Sequence, residues 1–363
     1  MESPRSLLVL SAVGCIMLWG IMLVNGTLDG VSTVVQTGKF PDGRLLRATY
    51  TGYALFDKKF SNVVVFFDLL SNAKPDAPRW LLFHLCNLLG AIDTWVLIES
   101  RRRGVRNLFL RHTIIFIFMW NIAGAAFITP IYFYLICSSG YTARDATIPL
   151  NEARGFPPTV IANALFPLLL FIPTWHNWPS HDHQGNIGLY HFTPMLMIVT
   201  VVLCSRPGTS LTVFESPKDK NAPNEDAPWV VASFLATGVI SAAVHLYVIA
   251  SALTLPSTSD LTWPRLFWPK PQNVYTAPQG SYEALLEGAH LFTQLDALVL
   301  SSACVIFTHH LLQSATPPKS QDSMRDMWKN ILGTVCLGPG AAGSFALAAR
   351  EWRLRELVDT KIE

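Results

Sequence analysis

The chain has 363 residues, of which 50% are hydrophobic and 14% are charged, with a formal net charge of +2. A typical soluble protein has about 25% charged residues, so this composition excludes a soluble protein with a charged surface, and the small net charge gives no indication of a nucleic-acid partner. We therefore predict an all-α fold, a polytopic bundle of membrane-spanning helices that forms a single integral-membrane domain over residues 1–363.

Apolar stretches along the chain predict about eight spanning helices (seven or eight), because each span needs about 20 mainly apolar residues. Their approximate bounds are 7–25, 80–99, 113–137, 159–172, 187–204, 229–255, 282–309 and 328–349. The first run is longer than the core of a signal peptide and is predicted to be a retained helix. Pro130 should kink the third span. The apolar run within 60–72 is too short to span, and we expect a re-entrant or interfacial element there.

Basic residues set the predicted orientation. Five arginines lie between Arg101 and Arg111, and such clusters remain on the cytosolic side of a membrane. Alternation of the spans then places both termini in the cytosol and the loop 206–228 in the lumen. We expect a multi-pass protein of the endoplasmic reticulum membrane.

Ionisable side chains at membrane depth are candidates for function because their burial is costly. Asp296 lies about 20 Å along the seventh predicted span, near the middle of the bilayer. Asp93 and Glu99 lie in the second span, where neighbouring arginines favour the ionised form of Glu99. Glu287 and His290 are one helical turn apart on the seventh span. A hydrogen bond between helices is the alternative for Asp296, and an interfacial ion pair is the alternative for Glu99.

A metal site is not predicted. His176, His181, Asp182 and His183 are residue types that ligate zinc, but H-x-H in a polar loop is not a zinc spacing, and the six cysteines form no C-x-x-C pair. The Asp-rich clusters that hold magnesium and a diphosphate do not occur in the sequence. This argues against chemistry that begins by ionising a diphosphate.

Four segments carry a resemblance to a known family. They are FFD at 66–68, IESRR at 98–102, GAAFITPIYFY at 124–134 and ANALFP at 162–167. In this order they resemble fungal integral-membrane proteins of secondary metabolism, in particular the membrane-bound terpene cyclases of ascofuranone-type meroterpenoid biosynthesis. The resemblance covers roughly residues 60–310.

The resemblance implies an enzyme of the isomerase or lyase type that needs no cofactor and no metal. Such cyclases protonate an epoxide, or an olefin, on a prenyl chain attached to an aromatic or polyketide head, and the resulting cation is captured within the substrate. A carboxyl removed from water can hold a proton and act as a general acid, and aromatic faces stabilise a cation. The catalytic candidates are therefore Asp296, Glu99 and Asp93. The candidates for substrate binding are Trp95, Trp120, Asn121, Tyr132, Tyr134, Glu287, His290 and Phe292.

The expected partners are a lipophilic prenylated aromatic substrate and membrane lipid. A membrane transporter of a lipophilic metabolite is the alternative function. Transporters of this kind often contain internal repeats with matching broken helices. The sequence contains one candidate break, at residues 338–340, and no visible repeat, so the cyclase interpretation is favoured.

Overall fold

The computed structural model describes residues 4–74, 76–140, 145–205, 224–254, 260–315 and 323–359. Most of the predicted lumenal loop, 206–223, lies outside this part of the chain. The described residues form helices and loops, with one isolated β-bridge between Lys39 and Leu45. The main helices are α1 (Ser6–Val24, with a π-helical turn at Ile16–Gly20), α2 (Thr27–Thr37), α3 (Ala54–Ser71), α4 (Ala77–Ser100), α5 (Thr113–Ala123), α6 (Ala125–Ser138), α7 (Leu150–Trp175, in three segments), α8 (Ser180–Tyr190), α9 (Thr193–Ser205), α10 (Ala227–Thr254), α11 (Tyr282–Ser314), α12 (Ser323–Leu337) and α13 (Pro339–Asp359). Short helices at Leu108–Arg111, Trp263–Phe267 and Gln272–Thr276 lie in the connecting loops.

The all-α class and the helical membrane bundle predicted from the sequence are confirmed. Within the described residues, five helices are long and apolar enough to cross a membrane, namely α1, α4, α7, α10 and α11. The pair α8 and α9 adds a sixth if it is one span bent by 52°. Six spans are two fewer than the predicted eight, because the predicted spans 113–137 and 328–349 are each divided into a pair of helices.

The third predicted span is broken at Gly124, not at Pro130. It consists of α5 with 11 residues and α6 with 14 residues, and α6 continues through Pro130. Gly124 has φ 92° and ψ 133°, a conformation that L-residues rarely adopt. A Cβ at this position would lie 2.8 Å from Cδ1 of Leu18 and 3.4 Å from Cζ of Phe292. The break places the first turn of α6, with its free backbone N–H groups, inside the bundle.

Helix α1 holds the start of α6 in place. A Cβ on Gly14 would lie 2.5 Å from the carbonyl oxygen of Ala126, so the two backbones approach more closely than a larger residue permits. The hydroxyl of Ser11 donates a hydrogen bond of 2.7 Å to the carbonyl oxygen of Phe127. These contacts fix the position of the α6 N-terminus against α1.

The segment predicted to be re-entrant or interfacial is part of α3, an 18-residue helix. It is longer than expected because residues 54–61, which are polar in part, extend the apolar run. Asp68 on this helix is fully buried and pairs with Arg44 at 2.5 Å. Arg44 also pairs with Asp42 at 2.7 Å, so α3 anchors the loop that follows α2.

The break at Gly124 gives a prediction about stability. Gly124→Ala should lower the free energy of unfolding by about 1–3 kcal/mol, because φ 92° and ψ 133° are unfavourable for an L-residue, and further through the clash with Leu18. Gly140→Ala is the matched control, because Gly140 also has a positive φ of 59° but a Cβ added there would meet no atom of the described residues within 4 Å. Thermal unfolding in detergent should rank Gly124→Ala below Gly140→Ala, and equal values would show that the close packing at the break is unimportant.

Candidate active site

A cavity of about 360 Å³ lies between α1, α2, α3, α4, the α5–α6 break and α11. Most of its wall is apolar. Five aromatic side chains line it: Trp19, Phe66, Phe67, Trp120 and Phe292. Its volume falls within the range of about 300–1,000 Å³ that is usual for small-molecule sites.

Asp296 is the one carboxylate among the described side chains that line this cavity. It lies on α11 and is 4% exposed. Its Oδ1 accepts a hydrogen bond of 2.6 Å from the backbone N–H of Ala126, in the first turn of α6. No described residue donates a hydrogen bond to Oδ2. Because an N–H can only donate, Oδ1 must accept. A proton carried by this carboxyl is therefore on Oδ2.

Three of the aromatic side chains contact one another in the wall of the cavity, and one of them, Phe292, is on the same helix as Asp296. The ring of Phe292, one helical turn before Asp296, lies edge-on to Phe66 with centroids 4.9 Å apart and to Trp19 at 6.2 Å. The indole Nε1 of Trp19 donates a 2.7 Å hydrogen bond to the carbonyl oxygen of Ala123, which fixes the orientation of the ring. A cation near such rings is stabilised by about 0.5–2 kcal/mol per ring.

The structure brings four of the predicted site residues to this cavity: Asp296, Trp120, Asn121 and Phe292. It also brings residues that sequence reasoning missed, namely Trp19 on α1 and Lys59, Asn62, Phe66 and Phe67 on α3. The residues on α3 recur at spacings of three and four, which is the signal of a single helical face. This signal was available in the sequence but was obscured because the segment was judged too short to be a spanning helix.

Glu99 does not line the cavity. It is fully buried, and its Oε1 lies 2.8 Å from Nη2 of Arg102 and 2.9 Å from Nη1 of Arg350. Nη2 of Arg102 also lies 2.7 Å from Oε2 of Glu351. All four side chains are 0% exposed. The arrangement joins the end of α4 to α13.

This buried ion network continues to the start of α10. Arg355 lies 2.6 Å from Glu351 and 2.6 Å from Asp226. Asp226 also accepts a hydrogen bond of 2.8 Å from the backbone N–H of Ile148. The six ionic side chains comprise three carboxylates and three guanidinium groups, so their charges balance. Their contacts indicate a structural role, in which the network ties together three helices and the loop before α7.

Asp93 and Trp95 also lie away from the cavity. Oδ1 of Asp93 is buried and has no hydrogen-bond partner among the described residues. The indole of Trp95 is fully buried, and its Nε1 donates a 2.8 Å hydrogen bond to the hydroxyl of Ser344 on α13. Trp95 therefore packs between two helices and does not present its ring face to the cavity.

The remaining predicted substrate-binding residues have other surroundings. The hydroxyl of Tyr132 donates a 2.8 Å hydrogen bond to the carbonyl oxygen of Leu110, and Tyr134 packs against the apolar core. Glu287 is held by Arg265, with one contact of 2.8 Å. His290 is fully buried, and neither ring nitrogen has a hydrogen-bond partner in the described chain. None of these four residues is among those that line the cavity.

The histidine-rich segment is largely structural. His183 is buried and contacts the hydroxyl of Ser71 at 3.2 Å, the amide of Asn72 at 2.8 Å and the carbonyl oxygen of Leu170 at 3.1 Å. His181 is exposed on the first turn of α8. No group of three or more His, Cys, Asp or Glu side chains in the described residues is arranged to hold a metal ion.

Comparison with known proteins places this architecture in a family. The family model described as the CtvD domain matches residues 4–354. The chain belongs to the CtvD-domain family. A protein of Fusarium langsethiae named a terpene cyclase is 36% identical over 368 residues, which cover 97% of this chain and 99% of the relative. A terpene cyclase of Alternaria brassicicola is 35% identical with the same coverage.

A more distant relative is a terpene cyclase of Emericella nidulans, which is 27% identical over 95% of this chain and 92% of its own length. No solved structure matches. These relatives confirm the resemblance to fungal terpene cyclases that the sequence segments indicated.

Proposed function

We propose that this fungal terpene cyclase closes a ring on the epoxidised prenyl chain of a meroterpenoid, an ascofuranone-like intermediate, and that Asp296 delivers the initiating proton. The observation that carries the proposal is the position of Asp296. It is the one carboxyl group among the described residues that line the aromatic-walled cavity, with Oδ1 held by Ala126 and Oδ2 left for a ligand. The relatives named terpene cyclases supply the reaction class.

The chemistry follows from this geometry. Oδ2–H of Asp296 donates its proton to the epoxide oxygen, and the adjacent C–O bond breaks so that its electrons stay on the new hydroxyl. The carbon left behind is a cation, which an alkene or hydroxyl of the same substrate attacks to close the ring. Loss of one proton then completes the product. The carboxylate of Asp296 is available to take that proton, which restores the acid and makes the reaction a net isomerisation.

The cavity wall supports the cationic stage. Phe292, Phe66, Trp19 and Trp120 surround the cavity with aromatic rings, which stabilise positive charge without providing a nucleophile. An apolar wall also excludes water, which would otherwise capture the cation as a diol. The proposal assigns no chemical step to Glu99, because its oxygens are bound by Arg102 and Arg350.

The proposed setting is the endoplasmic reticulum membrane, with both termini in the cytosol. The arginines between Arg101 and Arg111 support a cytosolic loop after α4. We also propose that the pair α5 and α6 and the pair α12 and α13 cross the membrane, which gives about eight spans when they are added to the five long helices and the bent pair α8 and α9. The substrate is a lipophilic prenylated aromatic compound that reaches the cavity from the surrounding lipid.

The test is an assay with purified protein in lipid nanodiscs and a prenylated aromatic compound that carries a terminal epoxide. The expected product is a cyclised isomer with the mass of the substrate. The matching olefin without the epoxide and heat-denatured protein are the controls. Recovery of unchanged epoxide, or of its diol alone, across a panel of prenylated aromatic heads would contradict the proposed function.

A further inference from the structure

The face of α3 that lines the cavity changes in character along its length. Lys59 and Asn62 are near its start and are exposed, whereas Phe66 and Phe67 are less exposed and aromatic. Val63 lies between the two pairs. At 1.5 Å per residue, the polar and aromatic ends are about 10 Å apart. The cavity therefore has a polar mouth and an aromatic interior along one helical face.

The aromatic end of this face is the end near the acid. Phe66 contacts Phe292, and Phe292 precedes Asp296 by one helical turn. A long apolar chain with a polar head fits this gradient in one direction only. The chain enters towards Asp296, and the head remains at the mouth beside Lys59 and Asn62.

Lys59 gives the mouth a positive charge. Its side chain lines the cavity, and no carboxylate in the described part of the chain lies within ion-pair distance of it. The neighbouring side chain at the mouth, Asn62, donates to the backbone carbonyl oxygen of Lys59 at 3.1 Å and carries no charge. The ammonium group is thus available to a ligand at the polar end of the cavity.

We propose that Lys59 selects substrates whose head carries an acidic group, a carboxylate or an acidic phenol, and that this group pairs with Lys59 while the prenyl chain extends to Asp296. The inference rests on the proposed function and deepens it, because it names the chemistry of the head. Lys59 is a specificity-determining residue in this account and takes no part in the proton transfer.

Binding provides a test that does not depend on turnover. Three compounds share one prenyl chain without an epoxide and carry a benzoic acid, an acidic phenol that is ionised at the assay pH, or the fully methylated head. Quenching of tryptophan fluorescence, to which Trp19 and Trp120 in the cavity wall contribute, reports their binding to the protein in nanodiscs. The protein should bind the acid or the phenol more tightly than the methylated compound. Lys59→Met should weaken binding of that acidic compound by about fivefold, the value of a partly exposed ion pair, and leave the methylated compound unaffected.

Lys58→Met is the matched control, because Lys58 is the adjacent exposed lysine and does not line the cavity. It should bind all three compounds as the unmodified protein does. A selective loss for the benzoic acid identifies a carboxylate head, and a selective loss for the phenol identifies a phenolic head. Equal effects of Lys59→Met on all three compounds, or no effect on any, would overturn the proposal.

Turnover separates this inference from the proposed function. With the corresponding epoxides, Lys59→Met should raise KM for the acidic compound by a similar factor of about five and leave kcat unchanged. Binding that depends on Lys59 without conversion of any epoxide would refute the cyclase mechanism and retain the acidic head. Conversion of the epoxides with no dependence on Lys59 would support the cyclase mechanism and refute the acidic head.

Discussion

Asp296→Asn is expected to lower turnover of the epoxide by about 10²- to 10⁴-fold, the usual contribution of a general acid. The asparagine side chain has nearly the same shape, and its carbonyl oxygen can accept the hydrogen bond from the N–H of Ala126 that Oδ1 accepts at 2.6 Å. The variant therefore keeps the contact between α11 and α6 and loses only the transferable proton. Product formation by the purified variant, measured beside its thermal unfolding, checks this expectation.

Asp93→Asn is the matched control for this variant. Asp93 is a carboxylate in the same bundle, with Oδ1 buried, but it does not line the cavity. The Asp93→Asn variant should retain activity close to that of the unmodified protein. If Asp93→Asn abolishes turnover and Asp296→Asn does not, the acid has been assigned to the wrong helix.

Arg102→Met should produce the largest loss of stability, about 3–5 kcal/mol, the usual result of removing one partner from a buried ion pair. Arg102 is fully buried and bridges Glu99 and Glu351. The methionine side chain leaves the buried carboxylates of Glu99 and Glu351 with one guanidinium group fewer to balance their charge. Unfolding in detergent, followed by heat or by denaturant, should show the loss as a lower midpoint.

Arg103→Met is the control, because Arg103 is the next residue in the chain and its side chain is exposed. Its unfolding midpoint should stay near that of the unmodified protein. A loss of activity in Arg102→Met without a loss of stability would contradict the structural role of the ion network. It would also restore Glu99 as a candidate for chemistry.

The sequence predicted the all-α bundle, and it made Asp296 a candidate for function, from simple physical constraints. A long apolar run in a membrane forms a helix, because its backbone polar groups must be hydrogen-bonded within the segment. A carboxyl group in the middle of such a run has a high free-energy cost, so a partner or a function is expected for it. Trp120 and Phe292 were predicted for a similar reason, since they are aromatic residues in spans near the acids. All three line the cavity.

Long-range contacts explain why Glu99 and Trp95, which were predicted to belong to the site, lie elsewhere. Glu99 is paired with Arg350, 251 positions away, and Trp95 is bonded to Ser344, 249 positions away. Spacing on one helix gives no information about such partners. The same limit concealed the role of Gly124, whose positive φ breaks the span so that the N–H of Ala126 reaches Asp296 on another helix.

The most direct test of the central claim is a structure of the protein bound to an analogue in which an aziridine replaces the epoxide. The protonated ring nitrogen mimics the protonated oxygen, and it should lie about 2.8 Å from Oδ2 of Asp296, the distance of a charge-assisted hydrogen bond. The prenyl chain should contact Phe66 and Phe292. A nitrogen placed against Asp93 or the Glu99 network, or an analogue bound outside the cavity, would contradict the account.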